Sequence, residues 1–250
     1  MRFVYFVLAI GFIVITPDFL SAQTSNTFNG WLAITAYFKL DTKFTLRIEG
    51  NLRSGDEWQQ IQTVIFRPGI QYIFARNQTL TLGYAYISNA QTIDGIRGYT
   101  PEDRIWEQYS IMNYFSAQEH YISFQNRLRL EQRFIGQSVV DNDQLVTESF
   151  EFVQRLRYFF RMIVPFIQSP KKEFIKGSFF SLQNEVFVNI GNTSVVNGKF
   201  FNQNRAYFSV GYRFSPKNDT EVGYIYQFVE GTGTAKMNNH IIQLATYIHL

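Results

Sequence analysis

The chain is 250 residues long, 17% charged and 18% aromatic, with 26 Phe, 15 Tyr, no Cys and a formal net charge of +3. The missing cysteine excludes disulfides, thiolate metal sites, a cysteine nucleophile and a lipidated N-terminal cysteine. The mild positive charge is scattered singly with no basic run or tail, which argues against nucleic acid as a partner.

The first element is a targeting segment. Residues 1–22, MRFVYFVLAIGFIVITPDFLSA, carry Arg2, an apolar stretch from Phe3 to Ile15 and small residues at Ser21 and Ala22. This is the layout of a secretory signal peptide cut after Ala22, leaving 23–250 as one domain. A secreted chain of that size without disulfides needs either a sizeable core or a membrane to hold it.

From there the hydrophobic period is two nearly throughout. The alternation predicts strands at 30–40, 43–54, 58–74, 79–88, 102–115, 120–135, 147–166, 177–190, 200–214, 219–230 and 239–250. Each is longer than a usual soluble strand and long enough to cross a bilayer on a tilt. Short connections (75–78, 116–119, 215–218) interleave with long polar ones (89–99, 136–147, 191–199, 231–237), as in a membrane barrel with tight turns on one side and loops on the other. The stretch 167–176 is a longer connection on the short-turn side.

Each strand has an ionic or polar side and an apolar side. Over 43–54, Arg47, Glu49, Asn51 and Arg53 oppose Phe44, Leu46, Ile48 and Leu52. Over 79–88, Thr81, Gly83 and Ala85 oppose Leu80, Leu82, Tyr84 and Tyr86. Residues 127–134 set Arg127, Arg129, Glu131 and Arg133 against Leu128, Leu130 and Phe134. Next, Glu151, Arg155, Arg157 and Arg161 oppose Phe152, Leu156, Tyr158 and Phe160, and Glu185 and Asn189 oppose Val186 and Val188. Finally Arg205 and Arg213 oppose Phe208, Val210, Tyr212 and Phe214.

A soluble sandwich would also alternate, with its charges in water. Here the charged strand positions are mainly arginine, while Lys43, Lys171, Lys172 and Lys217 sit in turns. Arginine suits fixed, multiply bonded pairs in confined places, and open surfaces readily take lysine. Tyrosine and phenylalanine crowd the apolar side near strand ends, as an interfacial aromatic girdle would. The expected fold is therefore all-β: a transmembrane up-and-down antiparallel β-barrel in the cell outer membrane, ionic face inward and apolar face on lipid. Eleven segments are visible, but antiparallel closure with both termini on one side needs an even count. The expectation is twelve strands, with ten as the second choice.

Several segments resemble a bacterial outer-membrane family catalogued as domain of unknown function 2490. They include Arg67-Pro68-Gly69-Ile70-Gln71-Tyr72, Gly83-Tyr84-Ala85-Tyr86, Arg104-Ile105-Trp106-Glu107-Gln108 and Arg127 through Arg133. Arg155-Leu156-Arg157-Tyr158, Asn184-Glu185-Val186-Phe187, Gln203-Asn204-Arg205 and Gly223 through Gln227 follow in order. The resemblance implies an outer-membrane barrel and supplies no activity, substrate or catalytic residue.

The candidate site is the lumen: Arg47, Arg53, Arg67, Arg104, Arg127, Arg129, Arg133, Arg155, Arg157, Arg161, Arg205 and Arg213 against Glu49, Glu131, Glu151 and Glu185. One reading is a packed polar core that stiffens the barrel. Another is a narrow, electropositive path favouring small anionic solutes. Unpaired buried charge is costly, so arginines in excess must meet water, carbonyls or anions.

Catalysis finds little support. His120 and Ser123 fall on opposite faces of a strand, and His240 and His249 lie towards the two ends of the last segment. The Glu131/Glu151 pair is flanked by arginines, which favours ion pairing over general-acid chemistry. Asp141-Asn142-Asp143 lacks the glycine and terminal glutamate of a calcium loop. No cofactor, metal or catalytic residue is expected, and the chain is read as a non-enzyme. The alternatives are a membrane-embedded hydrolase, or a surface-binding barrel acting through loops at 89–101 and 136–147.

Overall fold

The structure, a computed structural model, describes residues 24–55, 57–117, 120–166 and 174–250. The expected signal segment 1–22, the turn residues 118–119 and most of the 167–176 connection lie outside them. Eleven strands follow one another: β1 Thr24–Lys39, β2 Phe44–Gly55, β3 Gln60–Ala75, β4 Gln78–Ile93, β5 Ile96–Ala117, β6 His120–Asp141, β7 Gln144–Pro165, β8 Gly177–Ile190, β9 Phe201–Ser215, β10 Asn218–Glu230 and β11 Lys236–His249. Each pairs with its neighbours in chain order, and β1 closes on β11 to complete a barrel.

The closure corrects the expected strand number. β1 and β11 run parallel, in register from Thr24↔Lys236 to Tyr37↔His249. An even count is required only when every seam is antiparallel; one parallel seam admits eleven. It also separates the ends. Thr24 starts at the rim that carries the β10–β11 connection, and His249 finishes at the opposite rim, beside the β9–β10 turn.

The two rims differ as the alternation of connections foretold, with one correction. Arg76-Asn77 and Pro216-Lys217 are two-residue turns, and at the β1–β2 turn the Asp41 side chain accepts from the backbone N–H of Lys43 and Phe44 at 2.6 and 2.7 Å. Those two bonds hold the Asp41 carboxyl below the usual carboxylate range. On the other rim, 89–99 and 136–147 are not loops. They continue as strands to tight hairpins at Asp94-Gly95 (φ 49° and 81°) and Asn142-Asp143 (φ 49° and 59°). Two successive positive φ angles are what a right-twisted two-residue hairpin requires, and Asp, Asn and Gly tolerate them best. The paired hairpins then pack on each other: Gly98 lies against Leu145, and the Thr100 and Ser138 hydroxyls are 2.9 Å apart.

Exposure decides which face is inside. Leu82, Leu128, Val210 and Leu244 are 60%, 45%, 52% and 44% exposed, whereas Arg129, Glu131, Ser181 and Glu221 are 1%, 0%, 0% and 1% exposed. The barrel is apolar outside and ionic within. The outer face keeps a few polar groups, and these partner one another: Tyr84 donates to Asp103, and Gln132 donates to Glu107 at 3.1 Å.

Aromatic residues also point inward, which the two-sided pattern understated. Trp106, Phe159, Phe179, Phe187 and Tyr207 are buried. Trp106 lies flat on the β3–β4 wall because the wall has no side chains there. A Cβ on Gly83 would sit 2.3 Å from the indole, and one on Gly69 2.9 Å. Phe179 covers Gly211 in the same way, at 2.4 Å. Large rings seated over strand glycines restore the packing those glycines lack. At the turn rim Phe174 meets Phe179 edge-on, and its carbonyl accepts from Arg213 Nη1 at 2.7 Å.

Candidate functional site: an arginine-filled lumen

Geometry sets how far the inward side chains can reach. Eleven strands spaced about 4.8 Å apart and tilted by about 40° close on a radius of roughly 11 Å. An arginine reaches roughly 6 Å inward from its Cα. Directly opposite arginines therefore cover roughly 12 Å of a diameter of roughly 22 Å, and bonds between non-neighbouring strands run between stretches of wall a few strands apart.

All twelve predicted arginines lie on the inner wall, seven of them buried and Arg53, Arg127, Arg161, Arg205 and Arg213 half-buried. Glu49, Glu131 and Glu185 join them. At the centre is Glu131. It accepts from Arg155 Nη2 and Arg157 Nη1, both at 2.6 Å, with Arg104 and Arg129 at 3.6 and 3.8 Å. Glu185 carries the network on, pairing with Arg157 at 2.8 Å and Arg127 at 2.7 Å. Glu49 bridges Arg47 and Arg67, each at 2.6 Å. Such short charge-assisted bonds are the strong kind, and here each carboxylate serves more than one guanidinium.

Glu151 does not belong to the set. It has the inward parity of Arg155 and Arg157 but is exposed, because β8 ends at Ile190 opposite Gln154. Beyond that point β7 has lost its neighbour on one side and rises above the closed wall. Strand parity alone could not show where the wall stops.

Three inward carboxylates escaped the sequence reading. Glu102 takes Arg104 and Arg133, both at 2.6 Å, Glu221 takes Arg161 at 2.7 Å, and Asp219 takes Arg213 at 2.6 Å. Their parity was legible, since Glu102 lies two residues before Arg104 and Asp219 and Glu221 share a face of the tenth segment. Glu221 also accepts from Ser209 Oγ at 2.9 Å and from Tyr247 Oη at 3.0 Å.

Several guanidiniums, paired with a carboxylate or not, also rest on aromatic faces, where the ring quadrupole attracts a cation. The Arg129 guanidinium lies 4.3 Å from the Trp106 ring centre and donates to Gln108 Oε1 at 2.6 and 2.9 Å. Arg127 lies 3.9 Å from Phe159, and Arg155, Arg157 and Arg205 gather at Phe187 within 5.2 Å. Arg53 and Arg205 both face Trp31, at 3.9 and 4.9 Å. Among the described residues, neither Arg53 nor Arg205 has a carboxylate within ion-pairing distance. Arg53 donates to Asn51 Oδ1 at 2.7 Å, and the Gln227 side-chain amide lies 3.2 Å from the Arg205 guanidinium.

Several contacts join strands that are not neighbours in the wall. Arg161 on β7 donates to Tyr247 on β11 at 3.0 Å and to Glu221 on β10. Arg127 on β6 reaches Glu185 on β8, and Arg47 on β2 approaches Trp106 on β5 at 6.0 Å. A cavity of about 200 Å³ remains towards the loop-bearing rim, bounded by Arg53, Arg67, Arg104, Arg155, Arg157 and Arg205 with Asn89, Gln203 and Gln227.

His240 Nδ1 is 2.6 Å from Tyr224 Oη on the outer face, and His249 stacks on Tyr37 at 4.7 Å by the turn rim. Among the described residues there is no group of three or more His, Asp or Glu placed to hold a metal.

Compared with known proteins, the chain matches the model of a family described as Protein of unknown function (DUF2490) over residues 28–238. No curated protein and no solved structure matches it.

Proposed function

The chain belongs to the DUF2490 family, and from that premise and the geometry of its lumen we propose that it is an outer-membrane barrel with a sealed ionic core, neither a pore nor an enzyme. The outward Leu, Val, Phe and Tyr side chains are the natural partners of lipid, and in that setting the arginines inside are shielded from it. The observation that carries the sealed reading is the set of cross-barrel bonds from Arg161 to Tyr247 and Glu221, with Trp106 and Arg129 lying across the middle. A conducting path needs water continuous from rim to rim, and these bonds cross the lumen in its way. The core's role is then mechanical: it fixes eleven strands in register and leaves the hairpins at Asp94-Gly95 and Asn142-Asp143 as a firm surface platform.

Planar bilayer recording tests this. Purified protein inserted in a bilayer should add no steady conductance at physiological salt. Reproducible anion-selective steps that disappear in Arg129→Gln would overturn the sealed reading and replace it with an anion path. Turnover of phospholipid or lipid A by the same preparation would contradict the non-enzymatic half of the proposal.

A further inference from the structure

The cavity near the loop-bearing rim has an uneven charge. Its wall carries Arg53, Arg67, Arg104, Arg155, Arg157 and Arg205 and no carboxylate. Four of these are ion-paired to Glu49, Glu102, Glu131 or Glu185. Arg53 and Arg205 have no such partner among the described residues, and the buried Arg67 keeps its Nε unbonded. Like charges gathered in a confined space repel, so this wall is incomplete without a counter-ion.

We propose that the cavity binds a compact phosphate-class oxyanion. Guanidinium forks match the oxygen spacing of phosphate and can bond it bidentately, and neutral donors at Asn89 and Gln203 line the same space. A volume of about 200 Å³ holds one such ion with a few waters, each of which takes about 30 Å³. Entry is from the loop side, where Arg53 and Arg205 are only half-buried. The site depends on the fold and the charge of the lumen. It does not depend on the membrane setting or on the lumen being sealed.

Calorimetric titration of the purified, detergent-held barrel with inorganic phosphate at constant ionic strength is the direct test, with ³¹P line width as a second readout. One saturable site per chain is expected. Arg53→Gln should weaken it at least tenfold, and Arg213→Gln at the opposite rim should leave it unchanged. Gln227→Glu supplies an internal counter-ion, so it should abolish phosphate binding while raising the melting temperature of the ligand-free barrel. Displacement by glucose 6-phosphate assigns the site to phosphomonoesters, and no displacement assigns it to the free ion. The proposal falls if phosphate shows no saturable binding, if sodium chloride at matched ionic strength gives the same response, or if Gln227→Glu binds phosphate as well as the parent.

Discussion

Replacing Glu131 by glutamine removes the charge on which the centre of the lumen converges. Arg155 suffers most, since beyond its 2.6 and 3.0 Å bonds to Glu131 its only further hydrogen-bond partner among the described residues is Asn202 at 3.5 Å. Arg157 keeps Glu185, at 2.8 and 3.0 Å. Removing one member of a buried pair costs about 3–5 kcal/mol, because the partner stays desolvated. With Arg157 half-served, the expected loss is about 3–4 kcal/mol. The outward Glu107→Gln is the control, and its exposed contact with Gln132 predicts a change below about 1 kcal/mol. Guanidinium unfolding of the two variants in the same detergent, followed by tryptophan fluorescence, measures both. A double cycle with Arg155→Gln should show coupling of about 2 kcal/mol or more. If Glu131→Gln costs less than about 1 kcal/mol, water serves the central guanidiniums and the packed lumen is refuted.

Three further expectations are independent of that one. Gly83→Ala drives a methyl to 2.3 Å from Trp106 and 2.6 Å from the Pro68 carbonyl, so it should cost about 1–3 kcal/mol in the same assay, whereas Gly50→Ala, whose nearest neighbour would be Ile34 at 3.4 Å, should be close to neutral. At Gly95 nothing lies within 4 Å, so Gly95→Ala should lose about 1–2 kcal/mol through its φ of +81° alone, and a neutral result would contradict the hairpin geometry. Epitope tags placed before Thr24 and after Leu250 should label from opposite sides of a sealed vesicle, since the parallel β1–β11 seam puts the first and last strand ends at opposite rims; labelling from one side would restore an even strand count.

The strand pattern and its polarity were readable because a period of two survives in nearly every segment and because the charges it isolates are arginines. Arg127, Arg129 and Arg133 share one face of a strictly alternating stretch. The parallel seam was not readable, since nothing in the alternation of 30–40 and 239–250 records the direction in which they pair. The hairpins at Asp94-Gly95 and Asn142-Asp143 were missed because polar flanks such as Asn89, Gln91 and Ser138 look like loop. Asp-Gly between two isoleucines was nonetheless a hairpin signal in plain view. Glu102, Asp219 and Glu221 were missed for want of counting parity through every strand. The roles of Trp31, Trp106 and Phe187 as seats for arginine depend on contacts between distant strands, which periodicity does not encode.

The central claim is that lipid meets the aliphatic face while the guanidiniums are enclosed. The chain has no cysteine, so single-cysteine variants report one position each. A fluorophore attached at Leu82, Leu128, Val210 or Leu244 in vesicle-reconstituted protein should be quenched by a lipid-dissolved quencher and shielded from aqueous iodide, and a cysteine at Ser181 should resist labelling until the barrel unfolds. Iodide quenching at all four outer positions, in protein that stays monomeric and soluble without detergent, would contradict the account.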